Sequence, residues 1–493
     1  MDTVFDSRLN REIETLTERL HPPRLINEFS VGRVCIDNNS CRDCTVVKVD
    51  SANKYGILLE MVQVLTDLDL CISKSYISSD GGWFMDVFHV TDQAGKKLTD
   101  NNLMRQVEKE LCATRAKEDI YDETELEICE ELKSNYSKQN VSTEHTALEM
   151  SGMDRPGLLS EISAVLVDMG CSVTSATAWT HNGRAACIIY VEEASRPGPI
   201  KDPKRLAQVK EQLENVVEAR GGKGERNNVR LRNFPAGRTH TERRLHQLMY
   251  ADRDYESCHA CHGDTSGYHK KGCDGTHVSI SRCEDRGYWV VNVICRDRPK
   301  LLFDTVCILR DMQYVVFHAA ISSKKSIANQ EYFIRHKWNG IALQTKSEKE
   351  KFILCIIAAI ERRVSHGLRV DICTQNRMGL LSQVTRVIRE NGLSIPRVEI
   401  GPRGENVVGT FYVTDPSGQQ VNPNIVEVLR QESRGSADVV TNHNVPCGLS
   451  RSSSSSSSSV NNSSVEDKAR YSIGSKLWSH FGKISCNFGP IKS

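Results

Sequence analysis

No apolar run in this chain is long enough to cross a bilayer. The most apolar, Phe352 to Ile360, has nine residues, less than half of the ~20 that a membrane helix needs. Nor is there an excess of charge of one sign. Lys plus Arg number 64 and Asp plus Glu 63, which argues against a protein built to hold a polyanion such as nucleic acid. Met1 to Leu20 alternates acidic, basic and apolar side chains without an apolar core segment, so neither a secretory signal nor a transit peptide is expected. Without export, the 18 cysteines read as reduced thiols in the cytoplasm, with the nucleus open. A Walker-type phosphate loop and an HExxH helix are also missing.

What the 493 residues do contain is an internal repeat. The stretch Asp154-Arg155-Pro156-Gly157-Leu158-Leu159 ends an apolar run and opens an amphipathic helix. Degraded copies are Asn53-Lys54-Tyr55-Gly56-Ile57-Leu58, Asp297-Arg298-Pro299-Lys300-Leu301-Leu302 and Asn376-Arg377-Met378-Gly379-Leu380-Leu381. Nineteen residues after each turn begins stands an apolar strand residue: Ile72, Val173, Val316 and Ile395. Four gapless matches of turn, helix and strand establish one unit repeated four times.

Around each turn the hydrophobic period switches from alternation to 3.6 and back. In the first unit Thr45–Val49 predicts a strand, Ile57–Leu68 a helix, Ile72–Ile77 and Trp83–Val90 a hairpin, and Asp100 caps a closing helix. That order, with a last strand, is the ferredoxin-like βαββαβ pattern of an α+β fold with antiparallel sheets. The expected boundaries are an extension over 1–43, units at 44–114, 145–219, 288–362 and 367–434, a Cys/His-rich linker at 220–286, and a disordered Ser-rich tail at 435–493. The third and fourth turns begin only 79 residues apart, which leaves almost no linker and predicts that units 3 and 4 pack as a continuous pair.

A strand-to-helix turn ending in Gly-Leu-Leu offers a close approach to the backbone and unpaired amides that attract a carboxylate or phosphate. An Asp or Asn at its start suits an ammonium group. Together they fit a small zwitterion. The alternative is purely structural: Asp or Asn caps the helix, Pro sits in its first turn and Gly eases the bend.

The D-R-P-G-L-L turn on such a unit resembles the ACT domain. Lys48–Leu58, Tyr76–Phe88 and the closing Asn487–Ser493 are similar to the plant ACT-domain-repeat (ACR) family. Val90-Thr91-Asp92 and Val413-Thr414-Asp415 also resemble the ACT pair of bacterial uridylyltransferase/uridylyl-removing enzymes. The resemblance implies a non-enzymatic regulatory sensor of a free amino acid, without cofactor, whose units merge their sheets side by side. Carried over by position, it implies contacts at Asn53, Gly56, Asp154, Gly157, Asp297, Asn376 and Gly379. Unit 2 keeps the full motif and is the preferred site; Lys300 replaces the glycine in unit 3 and is expected to obstruct it. A protein-interaction scaffold is the alternative, and an enzyme the least favoured, since the 66 residues from Arg220 to Asp285 fall short of the ~100 of a catalytic domain. A homo-oligomer or a regulated protein partner stays open.

Cys258, Cys261, Cys273 and His277 have the spacing of a structural zinc site, but a polar glycine-rich insertion is the preferred reading, with no metal. Arg243, Arg244 and His246 on a helix over Arg238–Tyr250 read as a solvated face, and Trp83, Trp179 and Trp289 as core or interface.

Overall fold

Each of the four turns joins a strand to a helix of 11 residues, and in each the residue before the helix has a left-handed backbone. The computed structural model describes residues 33–116, 145–219, 228–232, 240–256, 275–415, 421, 427–428 and 438–442, apart from short gaps at 81–82, 196–197, 284–286, 325, 339–341, 365–366, 376 and 405. Residues 1–32, most of the Ser-rich tail, and Asn376, Cys258, Cys261 and Cys273 lie outside the described residues.

Unit 1 comprises β1 (Arg33–Asp37), β2 (Thr45–Ala52), α1 (Ile57–Asp67), β3 (Cys71–Asp80), β4 (Trp83–Thr91) and α2 (Asn101–Ala116). Unit 2 comprises β5 (Thr146–Met153), α3 (Leu158–Asp168), β6 (Cys171–His181), β7 (Arg184–Glu193), α4 (Pro203–Glu218) and β8 (Asn228–Arg232). A connecting helix, α5 (Thr241–Ala251), follows. Unit 3 comprises β9 (His277–Cys283), β10 (Tyr288–Arg296), α6 (Leu301–Asp311), β11 (Tyr314–Lys324), β12 (Ile327–His336) and α7 (Lys346–Glu361). Unit 4 comprises β13 (Leu368–Gln375), α8 (Leu380–Glu390), β14 (Ser394–Arg403), β15 (Asn406–Thr414) and β16 (Asp438–Asn442).

The strands form two eight-stranded antiparallel sheets, ordered β1-β2-β4-β3-β11-β12-β10-β9 and β16-β13-β15-β14-β6-β7-β5-β8. Unit 1 therefore merges with unit 3, and unit 2 with unit 4. The pairing of units 3 and 4 expected from their short spacing does not occur. The junctions are β3 against β11, with Tyr76 opposite Ala320, and β14 against β6, with Val398 opposite Ala178. A β-bulge interrupts the start of the first hairpin strand in all four units, at Ile72/Lys74, Val173/Ser175, Val316/His318 and Ser394/Arg397.

Two units depart from βαββαβ. Units 2 and 4 take their outer strand from the chain after the hairpin, as β8 beyond the closing helix α4 and as β16, whereas units 1 and 3 take it from the chain before the first strand, as β1 and β9. β1 falls in the expected N-terminal extension, β9 with His277 and Cys283 at its ends falls in the expected linker, and β16 falls in the expected tail.

The helices of each pair cover one face of their own sheet, and α5 fills the space between the pairs. Leu245, Leu248 and Met249 of α5 pack on Trp179, Ala186 and Ile188, on the side of sheet 2 away from α3 and α8. This overturns the reading of α5 as a solvated helix. Arg244 is buried and donates from Nε and Nη2 to Glu149, both at 2.9 Å. His246 is fully buried. Trp179 and Trp289 are core residues, as expected.

Candidate ligand site at the paired turns

The glycine of each turn is itself the helix N-cap. Gly56, Gly157 and Gly379 have φ of 88°, 81° and 81°, and Lys300 holds the same region at 65°. None of the four helices is capped by a side chain, so the Asp or Asn three residues earlier is not a cap. In units 1 and 2 that residue turns to the first hairpin strand. Asn53 Nδ2 donates to Ser79 Oγ at 2.5 Å. Asp154 lies beside the Thr180 hydroxyl, and burial pushes its carboxyl up to about 6 against the pull of that hydroxyl and the Arg155 amide. Burial likewise raises Asp297, against hydrogen bonds from Ser323 and the Arg298 amide.

The antiparallel pairing lays the end of one unit's first helix on the partner's turn. The residue 13 positions after the start of each turn decides what that turn meets: Thr66, Val167, Arg310 or Arg389. In unit 1 a Cβ on Gly56 would run into Arg310 Nη1, the Arg310 guanidinium sits 5.2 Å from the Tyr55 ring, and Tyr55 donates to the Arg310 carbonyl at 3.2 Å. That turn is filled by the protein's own cation. In unit 2 a Cβ on Gly157 would lie 2.7 Å from Arg389 Cδ. In unit 4 the counterpart is Val167, and a Cβ on Gly379 would have ordinary contact with it at 3.7 Å.

Two clefts follow in the pair of units 2 and 4. One lies at the Gly379 turn, walled by Ser163, Val167, Cys171, Val173 and Ile400, and spans about 370 Å³ including its solvent mouth. The other lies at the Gly157 turn, walled by Ser160, Thr385, Arg389, Leu393 and Ile395, and spans about 270 Å³ on the same measure. Between them Ser163 Oγ and Thr385 Oγ1, both buried, lie 3.0 Å apart. Val62 and Val306 hold the matching positions in units 1 and 3.

The unit 3 turn belongs to a buried charge cluster between the pairs. Lys300 Nζ donates to Glu242 of α5 at 2.7 Å, and Arg363 grips the same carboxylate at 2.9 and 3.1 Å. Burial would raise the Glu242 carboxyl, but Arg363 and Lys300 hold it down to about 2. Asp304 receives Arg363, Arg298 and His246 Nε2, the last at 2.8 Å; despite complete burial the two guanidiniums keep it well below the usual carboxylate range. Arg362 binds Asp254 at 2.6 and 2.7 Å and reaches His246 Nδ1 at 3.1 Å. Because a guanidinium only donates, that nitrogen carries a lone pair and His246 is neutral. Burial, reinforced by Arg362 and Arg363, pushes the imidazole down to about 4 against the pull of Asp304. The expectation that Lys300 obstructs its turn thus has a physical form: it is tied into the cluster.

The expected contacts are brought together unevenly. Gly157 and Gly379 line clefts in one pair, Gly56 is covered, Asp154, still exposed, and Asp297, half-buried, lie beside hydroxyls, and Asn376 lies outside the described residues. Sequence reasoning missed Arg310, Arg389 and Val167, although the repeat register already marks that position. Of the four residues weighed as a zinc site, only His277 is described, at the start of β9.

Residues 40–118 match the ACR family N-terminal ACT domain, and residues 146–218 and 368–434 match the ACT domain. The chain is 51% identical to ACT domain-containing protein ACR1 of Arabidopsis thaliana over the full length of both, and 46% identical to ACR3 of the same plant over 90% of this chain and 93% of the relative. A stretch of 79 residues is 39% identical to the bifunctional uridylyltransferase/uridylyl-removing enzyme of Azospirillum brasilense, covering 16% of this chain and 8% of that one.

Proposed function

Since the chain belongs to the ACR family of ACT-domain proteins, we propose that it is a non-enzymatic regulatory protein that senses a free amino acid at the paired turns of units 2 and 4. The observation that carries this reading is the asymmetry of the pairs. Gly157 and Gly379 border clefts, whereas the turns of units 1 and 3 are engaged by Arg310 and by Glu242.

The chemistry suits the ligand. The first amides of α8 attract a carboxylate, and Val167, Val173 and Ile400 give an apolar wall to a side chain. At the Gly157 turn Arg389 supplies a fixed cation, which a ligand carboxylate would draw off the glycine. A ligand that binds better once Arg389 has swung away shifts the population of the two positions, and that differential affinity is all a sensor requires. Pair 1/3, closed by its own side chains, acts as the rigid partner.

Calorimetry of the full chain against the proteinogenic amino acids tests this. One of them is expected to bind, and Val167→Arg, which recreates at unit 4 the covered turn of unit 1, is expected to remove binding there without changing the circular dichroism. No binding by any amino acid, or binding unchanged by both Val167→Arg and Gly157→Lys, would refute it. Lys300 already holds a lysine in the required backbone conformation.

A further inference from the structure

We propose that Cys41, Cys44 and His89 of unit 1 form a binding site for a zinc-class divalent cation, with water in the remaining coordination position. None of its residues belongs to the turns or to the Cys/His-rich segment after α5. It is built where the connection between β1 and β2 folds back over β4.

Asp37 fixes that connection. Its carboxylate accepts from the backbone N–H groups of Asn39 at 2.8 Å and Ser40 at 3.0 Å, and from Lys48 Nζ at 3.2 Å. The turn that results faces two cysteines three residues apart toward each other, with Sγ atoms 3.0 Å apart. Cys44 immediately precedes β2, and β2 pairs with β4 so that Val46 stands opposite His89. This register carries the imidazole to the thiol, with Cys44 Sγ 3.3 Å from His89 Nδ1. All three ligand atoms lie within 4.8 Å of one another, and no fourth His, Cys, Asp or Glu joins the group among the described residues.

Two thiolates and one imidazole are a donor set that favours zinc over hard cations, and the two sulfur charges neutralise a dication. Tetrahedral bonds of ~2.3 Å to sulfur and ~2.0 Å to nitrogen place sulfurs ~3.7 Å apart and sulfur and nitrogen ~3.5 Å apart. The sulfur–nitrogen distance is nearly right as it stands. The sulfurs must open by ~0.7 Å, which rotation of Cys41 can supply because it is the half-exposed member, while Cys44 and His89 are buried. His89 Nε2 is buried without a hydrogen-bond partner, so the ring's one engaged nitrogen is the one a metal would take. Three protein ligands beside an opening is the pattern of a site with an exchangeable position. Metal there would pin the β1–β2 connection to β4.

The test uses the full chain, reduced with a phosphine, stripped by a chelator and titrated with cobalt(II). The expected result is thiolate-to-cobalt charge-transfer absorption that saturates, is displaced by zinc, and weakens at least tenfold in both Cys41→Ser and His89→Phe. Cys41→Ser, at the half-exposed position, is expected to match the metal-free wild type in urea midpoint, so its loss of signal reports ligation and not unfolding. A Cys258→Ser/Cys261→Ser variant is expected to keep the band. The proposal is overturned if the reduced wild type gives no band, if the band survives Cys41→Ser and vanishes with Cys258→Ser/Cys261→Ser, or if zinc raises the melting temperature of wild type and Cys41→Ser equally.

Discussion

His246 makes the contact between the two pairs sensitive to acid. Its Nε2–H donates to Asp304 and its Nδ1 accepts from Arg362, so the folded protein holds the ring neutral. The unfolded chain takes up this proton near 6.5 and the folded one only near 4. The stabilisation is complete above 6.5 and is lost as pH falls toward 4, because the unfolded state binds the proton first. At 1.36 kcal/mol per pH unit, about 2 kcal/mol disappears between pH 7 and pH 5. His181, held by Asp254 and Glu361, has the opposite sense: these acids raise it despite burial, and its contribution is lost as pH rises. His246→Gln isolates the first effect, since glutamine can donate to Asp304 and accept from Arg362 but does not titrate. Urea unfolding followed by tryptophan fluorescence is apt, because the Trp179 ring lies 5.0 Å from His246. Wild type is expected to lose about 2 kcal/mol more than the variant between pH 7 and pH 5. Equal losses, with the carboxylates and His181 common to both, would refute the neutral histidine.

Other perturbations have equally direct readouts. Asp304→Asn removes the buried counter-charge that Arg298 and Arg363 share, leaving Arg363 with Glu242 alone, and is expected to cost about 3–5 kcal/mol in urea unfolding; a loss below about 1 kcal/mol would mean that the cations escape to water. Ser163→Val and Thr385→Val are each expected to cost about 1 kcal/mol by removing the hydrogen bond between the two hydroxyls, each of which keeps a carbonyl of its own helix, and the double variant less than the sum, because Val62 and Val306 fill the matching positions; additive losses would refute that coupling. Arg389→Val should enlarge the Gly157 cleft and tighten binding of an apolar amino acid while weakening dependence on its carboxylate, read by calorimetry with the acid and its amide. Acidification from pH 4.5 to 2 should loosen α5 from unit 3 as Glu242 takes up its proton near 2, visible as faster amide exchange in α5.

Much of the unit was legible because its signals are local. The turn, the helix after it and the bulged strand 19 residues on recur without a gap. The pairing was not legible. A short step between units 3 and 4 limits how far the chain travels but not its direction, and the chain from Arg362 to Leu368 crosses from one sheet to the other. The outer strands of units 1 and 3 were sought at the end of each unit, where β8 and β16 stand in units 2 and 4. α5 misled because its charged residues find partners far off in sequence: Arg244 meets Glu149, 95 residues away, and His246 meets Asp304, 58 residues away. One signal was present. β7 is apolar on successive residues from Ala185 to Val191, a strand that needs cover on both faces. At the candidate site, glycine announced the close approach, but what approaches is set by position 13 of the partner unit.

Interleaved pairing also governs how the molecule can be made and cut. During synthesis β3 must wait for β11 and β6 for β14, so the first half of the chain emerges with two unpaired strand edges of the kind that invite aggregation. No single break between units separates the chain into two closed pairs: a cut after unit 2 leaves each sheet half built. Both sheets are therefore complete only when all four units are present, although each unit is small enough to look like a module.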